Sequence, residues 1–102
     1  MRCTVLGAGV SGLTCAVRLL ESGHEVEVIS DKFSPETVSD VAAALWYPFL
    51  TAPAERADEW GRVTYLELER LATEAPESGV TIRDGREYLR AVTDRPSWKD
   101  AI

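Results

Sequence analysis

An α/β fold opening on a parallel β-α-β unit is what this sequence predicts. Three observations carry the prediction. Cys3 to Leu6 is a short apolar run rich in β-branched residues. Gly7-Ala8-Gly9-Val10-Ser11-Gly12 is a G-x-G-x-x-G. Val26 to Ser30 is a second strand-like run, closed by Asp31. Between the glycines and that second run, Leu13, Ala16, Val17 and Leu20 recur at helical spacing, and Gly23 ends the helix. Glycine triples arise by chance. Set between a strand and a helix, in a unit of about 30 residues with an acid ~20 residues further on, they read as a dinucleotide-binding fingerprint.

Each residue type has a physical task in that reading. Gly7 lets the chain turn tightly without a Cβ clash. Gly9 leaves out a side chain where a pyrophosphate must approach the backbone, and Gly12 lets the helix lie close to the strands. The first amides of a helix have no intrahelical partner and sit at the positive end of its dipole, so a pyrophosphate satisfies both. Asp31 can accept hydrogen bonds from the hydroxyls of an adenosine ribose. Its carboxylate would repel a 2′-phosphate, so the pattern suits FAD or NAD over NADP.

With 102 residues, of which 45% are hydrophobic and 27% charged, the chain has the composition of a soluble globular domain. A net charge of −6 and no basic stripe argue against nucleic acid as a partner. No apolar stretch approaches the ~20 residues of a membrane span, and a strand followed by glycines is not a signal peptide. Cys3 and Cys15, on the first strand and first helix, read as small reduced core residues of an intracellular protein. The single His24, in the loop before the second strand, reads as exposed. It assembles neither a zinc site nor a nucleophilic triad. Only two strands belong plainly to the β-α-β unit, fewer than a nucleotide-binding sheet needs. The expectation is therefore a fragment, or one chain of a split protein whose core a second polypeptide completes.

Beyond Asp31, Lys32 to Ser39 contains Pro35 and small polar residues and predicts a loop. Ser39 or Thr37 is placed to cap a short helical turn from Asp40 to Leu45. Leu45-Trp46-Tyr47-Pro48-Phe49-Leu50 is either core or the wall of an apolar cleft, and Pro48 excludes a regular central strand. Pro53 then precedes a long helix, Ala54 to Ala75, with Glu55, Asp58 and Glu59 at its favourable acidic start. Ala57, Trp60, Gly61, Thr64, Leu68, Leu71 and Ala75 form its predicted buried face, with Trp60 a packing residue. Arg56, Glu67, Glu69, Arg70 and Glu74 read as a solvated face. Val80 to Arg83 alternates like a strand. Asp84-Gly85 is a hairpin turn returning through Arg86 to Val92, or else a bulge within one strand. Thr93 to Trp98 reads as loop.

Taken together, Met1 to Gly12, Asp31-Lys32-Phe33-Ser34-Pro35 and Ser39-Asp40-Val41-Ala42-Ala43-Ala44-Leu45-Trp46-Tyr47-Pro48-Phe49 resemble the N-terminal part of D-amino acid oxidases, and so does Pro96-Ser97-Trp98-Lys99-Asp100. The resemblance covers nearly the whole chain but only the first third or so of a family member. It implies a Rossmann-type, glutathione-reductase-like FAD-binding fold, incomplete in this chain. Residues 1–75 would be the N-terminal part of the FAD-binding domain and 76–102 the start of the substrate-domain sheet. It places Ala8, Gly9, Val10, Ser11 and Gly12, with Gly7 at the turn, along the FAD pyrophosphate. Asp31 and Lys32 fall at the adenosine ribose, Thr37, Val38 and Ser39 along the cofactor, and Ala43, Ala44 and Leu45 past the flavin ring. Tyr47 falls near the substrate pocket. Against the animal members, Tyr47 replaces a polar amide side chain, Ala44 a glycine and Lys32 an arginine, and Val38 interrupts a threonine run. Tyr47 thereby puts pocket size and substrate preference in question.

The activity implied by that resemblance is FAD-dependent oxidation of a D-amino acid by oxygen, giving a 2-oxo acid, ammonia and hydrogen peroxide. No catalytic residue is expected in this chain, because the arginine that clamps the substrate carboxylate belongs to the family's C-terminal half. The expected setting is cytoplasmic, or peroxisomal in a eukaryote, with no metal, nucleic acid or membrane. Close variants would act on glycine, sarcosine or D-aspartate. An acidic substrate calls for extra basic residues, which Leu45 to Leu50 does not supply. The glycine turn and Asp31 alone would equally serve an NAD-dependent dehydrogenase or a non-catalytic nucleotide-binding chain.

Overall fold

The computed structural model describes residues 1–42, 45–48 and 51–100. They form two compact units, Met1–Leu45 and Trp46–Ile102. The expectations for Ala43, Ala44, Phe49 and Leu50 lie outside the described residues.

In the first unit β1 (Arg2–Leu6) and β2 (Glu25–Ile29) pair in parallel, with Cys3 opposite Val26 and Val5 opposite Val28. Helix α1 (Val10–Glu21) connects them. Cys3, Val5, Val26 and Val28 are the half-buried positions of the two strands, one face of the pleat. On the other face Arg2 pairs with Glu27 at 3.8 Å. The helix ends as its sequence predicts. Ser22 Oγ donates to the Arg18 carbonyl at 2.9 Å, and Gly23 follows at φ +81°, the left-handed position that closes many helices.

The rotation of α1 differs from the expected one. The predicted stripe was Leu13, Ala16, Val17 and Leu20. Ala16 is buried, but Leu13, Val17 and Leu20 are about half exposed. The line that faces the strands is Gly12, Ala16 and Leu19. A Cβ at Gly12 would lie 3.5 Å from Val5 Cγ1 and 3.0 Å from the Gly7 carbonyl carbon. That approach turns the small residues inward and carries the larger ones about a quarter turn aside. The thiols also depart from expectation: Cys3 is half-buried and Cys15 is exposed, and both are free. Cys15 falls at the rim of the inward line rather than on it. His24, expected to be exposed, is half-buried.

After β2 the chain runs through a loop into α2 (Val38–Val41), shorter than predicted and shifted toward the N-terminus. The cause is local. Thr37 caps it, and its hydroxyl accepts from the Asp40 amide at 3.3 Å. The Asp40 carboxylate reaches back to the Thr37 amide at 2.9 Å, completing a capping box.

The second unit is built on α3 (Ala54–Glu74), which starts after Pro53 as predicted. Its one buried residue is Gly61, where a Cβ would meet the Pro48 ring at 3.3 Å. Tyr65, one turn on, lies beside Trp46 with ring centroids 6.4 Å apart. Trp60, expected on the buried face, is 59% exposed. It stands about a quarter turn from Gly61, and Tyr65 takes the aromatic contact instead. On the outer side Arg70 holds Glu67 at 2.8 Å and Glu74 at 3.1 Å. The two carboxylates raise its already high pKa. Short 3-10 turns follow at Pro76–Ser78 and Ser97–Asp100.

Residues 80–92 carry no strand, against the expectation of a strand or hairpin. A strand is defined by the partner that takes its backbone hydrogen bonds, and an isolated hairpin is marginal in water. Among the described residues no neighbouring strand pairs with this stretch, and Ile82, Tyr88, Leu89 and Val92 are exposed. Among the described residues no helix is long and apolar enough to cross a membrane.

Candidate functional site

Hydrogen bonds bring the glycine turn up against the segment that follows β2. The Gly7 amide donates to the Ile29 carbonyl at 2.7 Å, continuing the strand ladder by one residue. The Ala8 amide donates to Ser30 Oγ at 3.2 Å. The Val10 amide donates to Ser39 Oγ at 2.9 Å. Two serines from beyond β2 thus flank the turn.

Gly9 is the N-cap of α1, with φ −80° and ψ −176° and no side chain to cap it. The first bond inside the helix runs from the Leu13 amide to the Gly9 carbonyl at 3.0 Å. The amides of Val10, Ser11 and Gly12 therefore precede the intrahelical ladder, at the positive end of the dipole. This end suits an anion approaching the backbone. The spaces left by absent side chains are specific. A Cβ at Gly9 would stand 3.0 Å from Ser39 Oγ, and one at Gly12 would collide with the Gly7 carbonyl oxygen. Gly7 itself has φ +100°, which L side chains rarely adopt. The donor set and the bare backbone at Gly9 fit the pyrophosphate of a dinucleotide.

The other predicted residues fall as follows. Asp31 and Lys32 are exposed at the end of β2, with Ser30 Oγ donating to the Lys32 carbonyl at 2.7 Å. Of the two candidate caps Thr37 takes the role for α2, while Ser39 lies inside α2 and accepts from the Val10 amide of α1. Val38 is 84% exposed, and Leu45 is exposed. Ala43 and Ala44 lie outside the described residues. Tyr47 belongs to the second unit, where its ring lies 6.2 Å from that of Trp98. The two rings border an open hollow of about 280 Å³ that also carries Asp58 and Glu87. Ser30 was not among the predicted site residues. Its signal was a small hydroxyl residue at the strand end, directly before the fingerprint acid.

Asp40 holds the loop between Asp31 and α2. The Thr37 and Ser34 hydroxyls and the Thr37 amide donate to its carboxylate and keep its pKa below the usual aspartate value. A depressed carboxyl stabilises the folded loop at pH above its unfolded value of about 3.9. That contribution is lost as pH falls through the lower folded value. An NMR titration should therefore place the Asp40 midpoint below ~3.9, with Thr37 amide protection lost over the same range. A midpoint at or above the ordinary value would remove the capping box as its cause.

A family model described as FAD dependent oxidoreductase matches residues 2–102. The chain is 39% identical to a D-amino-acid oxidase of Rubrobacter xylanophilus, over 99% of this chain and 31% of that protein. It is 36% identical to a human D-aspartate oxidase, over 99% of this chain and 32% of that protein. It is 32% identical to a D-amino-acid oxidase of Dictyostelium discoideum, over 96% of this chain and 29% of that protein. The chain thus spans about a third of the length of these curated relatives. The turn, the parallel pair and the family match together make the first unit part of a Rossmann-like FAD-binding fold. With a match running across nearly all of its residues, the chain belongs to the FAD dependent oxidoreductase family, whose cofactor is FAD.

Proposed function

We propose that this chain supplies the N-terminal, FAD-binding part of an enzyme that oxidatively deaminates D-amino acids to 2-oxo acids and ammonia, with oxygen reduced to hydrogen peroxide. The single observation that carries the reading is the bare helix start at Gly9, where the leading amides of Ser11 and Gly12 precede the intrahelical ladder beside a backbone with no side chain. Similarity to D-amino-acid oxidases supplies the substrate class. The fold is read as glutathione-reductase-like, with 1–75 in the FAD domain and 76–102 leading toward the substrate domain. The remainder of the enzyme, on the same or a second polypeptide, would bring the groups that clamp the substrate carboxylate.

In this reading the amides of Ser11 and Gly12 hold the pyrophosphate, beside a Val10 amide that is held by Ser39, and Asp31 accepts from the ribose hydroxyls. Lys32, Thr37, Val38 and Ser39 line the cofactor's path, with Ala43, Ala44 and Leu45 toward the flavin ring. When bound, FAD would supply the redox chemistry, hydride acceptance and reoxidation by oxygen. The protein's part is to fix position and charge, and no side chain of this chain is assigned as a base. Tyr47 is placed at the substrate side. The run Leu45 to Leu50 carries no basic side chain to meet an acidic substrate, so neutral D-amino acids are preferred over D-aspartate.

The complete polypeptide is expected to show a flavin absorption spectrum that bleaches under anaerobic addition of D-alanine or D-valine and returns with air. D-aspartate should bleach it more slowly. A colourless protein whose activity requires added NAD would defeat the oxidase reading, and faster bleaching by D-aspartate would defeat the substrate preference.

A further inference from the structure

The hydroxyl of Ser30 spends its whole hydrogen-bonding capacity on joining two pieces of backbone. It accepts from the Ala8 amide at 3.2 Å, donates to the Lys32 carbonyl at 2.7 Å, and has the Lys32 amide at 3.4 Å. A serine hydroxyl has one donor and two acceptor positions, so nothing is left over. Ala8 lies in the glycine turn and is 4% exposed. Asp31 lies between Ser30 and Lys32, inside the small ring that the Ser30 to Lys32 bond closes, a local side-chain to backbone turn. The two joined segments are the two that a dinucleotide touches, one at its pyrophosphate and the other at its ribose.

We propose that Ser30 is a positioning residue for the cofactor, tying the glycine turn to the corner that carries Asp31 so that both are presented to FAD at one fixed spacing. The inference rests on the FAD-binding reading above and adds to it a residue that does not itself touch the cofactor. A ligand meeting two sites held in register binds more tightly than one that must order them. Replacing Ser30 with alanine removes that registration and leaves the buried Ala8 amide without its partner.

The test is a titration of FAD into the apoprotein of the complete polypeptide, followed by flavin fluorescence, with the melting temperature of each apoprotein measured alongside. Ser30→Ala is expected to weaken FAD about tenfold, the effect of one or two lost hydrogen bonds, with the apoprotein still melting cooperatively. Ser30→Thr, which keeps the hydroxyl, is expected to restore most of the affinity. In an Asp31→Ala background the cost of Ser30→Ala should shrink below about threefold, because the ribose contact that Ser30 positions is already gone. An equal cost in both backgrounds overturns the proposal, as does a Ser30→Ala protein that binds FAD like the wild type or that no longer folds. A wild type that takes up no FAD removes the cofactor reading and the inference with it. A wild type that binds FAD beside an unaffected Ser30→Ala removes the inference alone.

Discussion

Gly12→Ala should cost the protein stability before it costs it anything else. The added methyl would collide with the Gly7 carbonyl oxygen and lie 3.0 Å from the carbonyl carbon. Neither atom can step aside cheaply. Gly7 is anchored through its amide to the Ile29 carbonyl at 2.7 Å, and Ala8 through its amide to Ser30 Oγ. Relief must come from α1 lifting off the strands. That would open the contact of Gly12 with Val5 and of the buried Ala16 with the sheet. Overpacking of this kind costs about 1–3 kcal/mol, and more where backbone must move. With about 3 kcal/mol lost, the melting temperature of the complete polypeptide should fall on the order of 10 °C. FAD would be lost along with the unit that holds it. Thermal melts of the apoprotein check this. A Gly12→Ala melt within a degree or two of wild type would mean the helix can move without penalty.

The sequence made that contact foreseeable, because a glycine in the third fingerprint position has no other use than close packing. It made the strand–turn–helix–strand order foreseeable too, since period-2 and period-3.6 patterns there are short and cleanly punctuated by Gly7 and Gly23. The rotational setting of α1 was not legible. Hydrophobic periodicity locates the most apolar line of a helix, Leu13 to Leu20. Here the closest approach is set by the smallest side chains, Gly12 and Ala16, and the large ones fall to the side. On α3 the predicted face largely holds, with Gly61 buried and Ala57, Leu68, Leu71 and Ala75 half-buried; only Trp60 and Thr64 fall outside it, exposed. The failure at Val80 to Val92 has a different origin. Alternation reports a tendency to extend, whereas a strand also needs a partner ladder. At the site, the glycines and Asp31 were legible as types. The division of labour between Thr37 and Ser39, and the part of Ser30, were not. They depend on which hydroxyl comes within 3 Å or so of which amide, and no spacing rule encodes that.

Gly9→Ala should give the opposite result to Gly12→Ala, with the fold kept and the cofactor lost. Its backbone, at φ −80° and ψ −176°, is open to alanine. Among the described residues the new Cβ meets only Ser39, with its Oγ at 3.0 Å and its Cβ at 4.0 Å. That Oγ is the end of a rotatable side chain, so it can swing away and give up its bond with the Val10 amide. The loss of one such hydrogen bond is worth about 1 kcal/mol. Replacing glycine by alanine at a compatible position returns about 0.4–1 kcal/mol by restricting the unfolded chain. The two nearly cancel, so the melting temperature should hardly move. The methyl nevertheless stands where a pyrophosphate has to reach the leading amides of α1. Losing one or two charge-assisted hydrogen bonds, about 3 kcal/mol in all, corresponds to FAD binding weakened on the order of 100-fold. Adding Ser39→Ala to Gly9→Ala relieves the crowding but leaves the methyl in place, so the double variant should still bind FAD weakly. If the double variant instead recovers wild-type affinity, the damage came from the displaced serine, and the bare backbone at Gly9 is not where the pyrophosphate approaches.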